Sequence, residues 1–122
     1  MELINNLNSL ESPEEQYEYL IDLGSALPKL SMVQKTNENR IIGCQNRVWL
    51  NLETIENKII ISGESDSRLV SSLIAILIDI YSDRTQDEIG IIGTDWLKDI
   101  KLSLSMTRIK GLNSMLNRIL SK

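Results

Sequence analysis

Cys44 is the only cysteine in this 122-residue chain, and the chain contains no histidine. That combination excludes a Ser-His-Asp triad, a Cys-His nucleophile and any imidazole metal ligand. One thiol can build neither an internal disulfide nor a thiolate zinc cage. What remains is carboxylate chemistry, Lys or Ser nucleophiles, a lone thiol, or no chemistry. The thiol lies in the run Asn39-Arg40-Ile41-Ile42-Gly43-Cys44-Gln45-Asn46-Arg47-Val48-Trp49-Leu50. Gly43 lacks the Cβ that hinders a turn, so it can present the next side chain at a loop tip. Arg40 and Arg47 favour the nucleophilic thiolate, whereas Ile41, Ile42, Val48 and Trp49 favour burial, which opposes ionisation. This balance stays open, and on composition alone a small packed cysteine is the simpler reading.

Spacing tests the other chemistries of a lone cysteine. A phosphatase loop needs an arginine well beyond its cysteine in a glycine-bearing phosphate cradle. Here Arg47 follows Cys44 closely with no glycine between them. Sulfur transfer needs less machinery: thiolate attack on the terminal sulfur of a donor persulfide is exchange chemistry that requires access, thiolate character and a good leaving thiolate. It uses neither histidine nor metal, and an apolar wall would shield the reactive product. The same apolar flanks predict a thiol sheltered until a partner docks, with Gly43 and the polar stretch Ser31 to Asn39 as the hinge.

The elements that must position this loop are legible in outline. Leu3, Ile4 and Leu7 suggest a short amphipathic turn. Ser12-Pro13-Glu14-Glu15 reads as an N-cap, a proline at the first helical position and a capping-box glutamate, so a helix begins at Pro13 and ends near Leu27, before Pro28. Ser31 to Asn39 is polar and unpatterned, an exposed loop leading to the cysteine. From Arg47 to Glu53 the residues alternate, Val48, Leu50 and Leu52 against Trp49, Asn51 and Glu53, and Lys58 to Ser62 is a β-branched run. A hairpin turning near Glu56-Asn57 joins them. Ser65 or Asp66 is placed to cap a helix that is apolar around most of its circumference from Leu69 to Ile80. Thr85-Gln86-Asp87-Glu88 is a second capping box, Thr94-Asp95 a start for a helix around Trp96, and Leu112, Met115, Leu116, Ile119 and Leu120 form a terminal amphipathic helix. Trp49 and Trp96 are both expected in the core.

This grouping of helix, strands and then helices, without βαβ alternation, predicts one α+β domain over residues 1–122, a small antiparallel sheet covered by helices. The 13 basic and 17 acidic residues give a formal charge of -4, which disfavours nucleic acid as a partner. The densest apolar run, Leu73 to Tyr81, is interrupted by Asp79 and is too short to cross a membrane. The N-terminus has neither a basic region followed by an apolar run nor an Arg-rich character, so the expectation is a soluble cytoplasmic protein.

Several spaced segments then resemble the SufE family, the acceptor partners of the Suf and Csd cysteine desulfurases. They are Tyr19-Leu20-Ile21-Asp22-Leu23-Gly24 with Leu27-Pro28; Gly43-Cys44-Gln45 followed by Val48-Trp49; Ser62-Gly63-Glu64-Ser65-Asp66; the apolar helix ending in Tyr81; Trp96; and Arg108-Ile109-Lys110-Gly111-Leu112. The resemblance implies a fold similar to the IscU scaffold and a role in iron–sulfur cluster assembly. Cys44 then matches the cysteine that accepts persulfide sulfur from a Suf- or Csd-type desulfurase, and that sulfur passes to a scaffold or other acceptor. It implies no cofactor and no metal on this chain, the pyridoxal phosphate belonging to the desulfurase. Gly43 and Gln45 match loop neighbours of the acceptor cysteine, and Arg108 an arginine of the active surface that could steady a thiolate or bind the partner. Asp66 matches a position beside the cysteine loop; read from its own neighbourhood it is a helix cap. Departures stand at Asn46, where the family often has Ser, at Lys110, and at Met106-Thr107, which lacks a proline often found before the arginine. They bear on partner specificity. Two readings from other classes remain, a desulfurase- or scaffold-binding adaptor that carries no sulfur and a single-cysteine redox sensor.

Overall fold

The structure is a computed structural model that describes residues 2–42, 46–100 and 106–121, apart from the side chain of Thr107. Its order is α1 (Glu2–Ser9), α2 (Pro13–Ser25), β1 (Val48–Ile55), β2 (Lys58–Ser65), α3 (Arg68–Tyr81), α4 (Gln86–Ile92), a 3-10 turn (Asp95–Lys98) and α5 (Met106–Leu120). This is an α+β fold: among the described residues one two-stranded antiparallel sheet is packed with helices.

The hairpin forms because Glu56 and Asn57 accept left-handed backbone, with φ of 50° and 69°, as a tight two-residue turn between twisted strands requires. That turn fixes the register from Ile55↔Lys58 to Val48↔Ser65. Val48, Leu50, Ile59 and Ile61 consequently point to one face and are buried. Both edges of the ribbon are covered. Residues 39–41 lie along β1, with Ile41 N–H donating to Val48 O at 2.8 Å and Leu50 N–H to Asn39 O at 2.9 Å. On the other side Ile59 N–H donates to Arg84 O at 2.7 Å, and Asp83 N–H to Ile59 O at 2.8 Å.

The central helix is α3, whose Val70, Leu73, Ile74, Ile76, Leu77, Ile80 and Tyr81 are all buried, as an all-round apolar helix demands. It packs on the inner face of the sheet, against α5, and most intimately against α2. The last approach depends on Gly24, where a Cβ would stand 2.7 Å from Ser72 N and 3.0 Å from Arg68 O. Behind α3, the Tyr81 hydroxyl donates to Gly93 O and accepts from Trp96 Nε1 at 2.7 Å, so Trp96 is a core residue as expected. Burial pushes the Tyr81 phenol up, against the hydrogen bond from Trp96.

The caps follow the sequence in part. Ser12 accepts from Glu15 N–H at 3.2 Å, and Thr85 and Glu88 close both halves of a capping box. The cap of α3 is Ser67, not Ser65 or Asp66: Ser67 Oγ accepts from Val70 N–H at 3.3 Å. Ser65 Oγ accepts from Ser67 N–H instead, and the Asp66 carboxylate is engaged by Arg47. Around Trp96 the helix is a short 3-10 turn, and Thr94 makes no side-chain cap bond.

Candidate functional site

Gly43, Cys44 and Gln45 lie outside the described residues. The two ends of the segment that carries them are well defined. On the entering side Ile41 is buried against β1 while Ile42 is 84% exposed. On the leaving side Asp66 clasps Arg47: its Oδ1 accepts Arg47 N–H at 3.1 Å, its Oδ2 stands 3.5 Å from Arg47 Nε, and its own N–H donates to Arg47 O at 3.2 Å. The helix-cap reading of Asp66 fails, since Ser67 caps α3 and the Asp66 carboxylate is bonded to Arg47.

The arm entering the loop is strapped rather than slack. Gln34 Oε1 accepts from Ser31 N–H at 3.0 Å, and Asn39 Nδ2 donates to Gln34 O at 2.7 Å and to Asn51 Oδ1 at 3.1 Å. Arg118, in the last turn of α5, donates to Glu38 O at 2.9 Å and to Arg40 O at 3.3 Å. The stretch expected to be a free hinge is therefore bonded to itself, to β1 and to α5, although Met32 and Val33 at its tip are fully open to solvent.

Trp49 corrects a second expectation. It lies on the outer face of β1, half-buried, with Lys35 Nζ 5.2 Å and the Arg40 guanidinium carbon 5.5 Å from its ring centroid. Both cations are within the range of attraction to an aromatic face. Lys35 also pairs with Glu64, whose Oε1 accepts from Leu30 N–H at 2.9 Å. Burial raises the Glu64 pKa, but the hydrogen bonds from Lys35 and Leu30, with the charges of Lys35 and Lys29, outweigh it and hold this carboxyl below its ordinary value. The two arginines nearest the cysteine in sequence are thus both committed, Arg40 to Trp49 and Arg47 to Asp66.

Arg108 stands half-buried in the first turn of α5. Ile109 and Leu112 of that helix share an apolar cavity of about 260 Å³ with Leu73 and Ile76 of α3, and at the far end Leu120 O accepts from Gln86 Nε2 at 3.4 Å. The last turn of α5 also carries Arg118, so that end of the helix meets the arm entering the cysteine loop. A second cavity of about 290 Å³, lined by charged and apolar residues alike, opens between the end of α2, the end of β2 and the first turn of α3. Among the described residues no cluster of three metal-ligating side chains occurs, and no helix is long and apolar enough to cross a membrane.

The family model for the SufE, Fe-S metabolism associated domain matches residues 1–122. The chain belongs to the SufE family. It is 37% identical over 125 residues to a SufE-like protein of Rhizobium etli, covering 97% of this chain and 84% of that one. A SufE-like protein of Rhizobium meliloti is 35% identical over 128 residues, covering 99% and 91%. A solution structure of a hypothetical protein from Thermus thermophilus superposes with a TM-score of 0.80 over 98% of this chain and 89% of that one. Its 14% identity makes that a likeness of fold. Membership links the chain to iron–sulfur metabolism.

Several residues around the loop were not singled out from sequence. Arg118 reaches carbonyls 78 and 80 residues away, and the Lys35–Glu64 pair ties the arm to β2. Neither carries a local signal in the sequence. Trp49 did carry one, since the alternation of β1 sets it on the face opposite Val48 and Leu50.

Proposed function

We propose that this protein is a sulfur acceptor, taking persulfide sulfur onto Cys44 from a pyridoxal-phosphate cysteine desulfurase and passing it on for iron–sulfur cluster assembly. The observation that carries the reading is full-length SufE-family membership in a chain whose one thiol is Cys44. In the transfer, the Cys44 thiolate attacks the terminal sulfur of the donor persulfide. The donor S–S bond breaks, a new S–S bond forms on Cys44, and the donor cysteine departs as a thiolate. There is no net oxidation or reduction, so no redox cofactor is required.

Two framework features support the reading. The cysteine segment starts from an arm strapped by Arg118 and Asn39 and ends at the Asp66–Arg47 clasp, so both ends are anchored to the rigid hairpin and helices. Arg108, half-buried in the first turn of α5, is the supporting cation; it steadies the thiolate or persulfide, or contacts the partner. By removing sulfur from the desulfurase the protein stimulates it. In the test, Cys44→Ser keeps the side chain's approximate size and removes the nucleophile. The variant is expected to fold normally and leave desulfurase turnover at its unstimulated rate. Stimulation that survives in the purified variant overturns the mechanism and favours an adaptor.

A further inference from the structure

We propose that the cavity at the junction of α2, β2 and α3, lined by four charged residues, is a socket for an acidic side chain of the desulfurase, which seats the partner beside the Asp66–Arg47 clasp. This inference rests on the sulfur-acceptor reading.

Four charged residues line the cavity: Lys29, Glu64, Asp66 and Arg68. The two carboxylates already have cationic partners, Glu64 in Lys35 and Asp66 in Arg47. Lys29 and Arg68 form no ion pair among the described residues. With those outer partners counted, the neighbourhood holds four cations against two anions, in a chain whose formal charge is -4. An acidic surface approaching this protein is repelled by the chain as a whole and attracted here, which is how charge complementarity sets orientation. The serine hydroxyls of the cavity are largely committed within the chain. Ser25 donates to Ile21 O at 2.8 Å, and Ser65 accepts from Ser67 N–H at 3.1 Å. The recognition therefore falls to an ammonium and a guanidinium, and a guanidinium matches a carboxylate with two parallel hydrogen bonds.

Size and place select the source of that carboxylate. A volume of about 290 Å³ is at the lower limit for a small-molecule pocket but sufficient for one acidic side chain. The cavity wall includes Asp66, which holds Arg47 on the leaving side of the cysteine segment. The opening thus adjoins Arg47, the residue from which the cysteine segment leaves.

The test measures affinity of the full chain for the purified desulfurase by titration at low and at high salt, together with the intact mass of each variant after exposure to saturating desulfurase and cysteine. The double variant Lys29→Gln/Arg68→Gln is expected to bind about tenfold more weakly at low salt and to lose much of the salt dependence. Arg68→Lys, which keeps the charge, should bind within a few-fold of the parent. At saturation the double variant should still gain one sulfur on Cys44. Unchanged affinity of a double variant that melts like the parent overturns the socket and leaves sulfur acceptance standing. A parent protein that gains no sulfur overturns the acceptor reading, and the affinities still decide the socket.

Discussion

Replacing Asp66 with alanine removes both acceptors from the far lip of the cysteine loop, and the structure sets the size of the effect. The backbone bond from Arg47 N–H to Oδ1 spans 3.1 Å and is exposed to solvent, so its loss costs about 1–1.5 kcal/mol. The ion pair to Arg47 Nε is longer, 3.5 Å, and its side chains are 67% and 47% exposed. Screening reduces it to about 0.5 kcal/mol or less. The total of about 1–2 kcal/mol lowers the melting temperature of a chain this size by several degrees and does not unfold it. Asparagine retains an oxygen for the backbone donor and loses only the ion pair, so Asp66→Asn should lose about 0.5 kcal/mol or less. The decisive assay is residue-resolved amide exchange: the Arg47 amide should exchange faster in Asp66→Ala and stay protected in Asp66→Asn, and sulfur loading should slow in the same order. An Arg47 amide equally protected in both variants would refute the clasp as the anchor of the loop.

Two further outcomes follow from the same framework. Glu64 has a folded pKa below its ordinary value of 4.5, so its contribution to stability is complete above that value and is lost as pH falls through the folded pKa. The gap in melting temperature between the parent and Glu64→Gln should be widest near neutral pH and narrow below about pH 4.5, and a gap independent of pH contradicts the Lys35–Glu64 pairing. Arg108→Ala should slow sulfur acceptance while costing about 1 kcal/mol or less of stability by chemical denaturation; a large loss of stability with normal transfer assigns the residue to the framework.

Features encoded by neighbouring residues were legible in the sequence. Glu56-Asn57 marked the hairpin turn, Thr85 and Glu88 the capping box, and Ser12-Pro13 the start of α2, each through bonds or backbone preferences acting within four residues. The all-round apolar character of α3 announced its central position. The cap of α3 was misplaced because Ser65, Asp66 and Ser67 offer similar local chemistry. The choice was made by Arg47, 19 residues from Asp66, which occupies that carboxylate. Trp49 was misread because bulk and aromaticity suggest a core, whereas Lys35 and Arg40 give its ring an attractive site on the outer face. The arm from Ser31 to Asn39 looked unstructured because its ties run to Asn51, Glu64 and Arg118, contacts that only the fold creates. At the site, the cysteine stood out through its uniqueness in a chain without histidine, while the clasp and the strap that hold its flanks did not.

The central claim is that Cys44 carries sulfur, and it is tested most directly by the intact mass of the protein after incubation with a cysteine desulfurase and cysteine, followed by removal of both. One added sulfur atom, absent from Cys44→Ser and released by a thiol reductant, is the predicted result. An unchanged mass in the presence of an active desulfurase that binds the protein contradicts the claim, and a mass gain that appears only with peroxide reassigns the thiol to redox sensing.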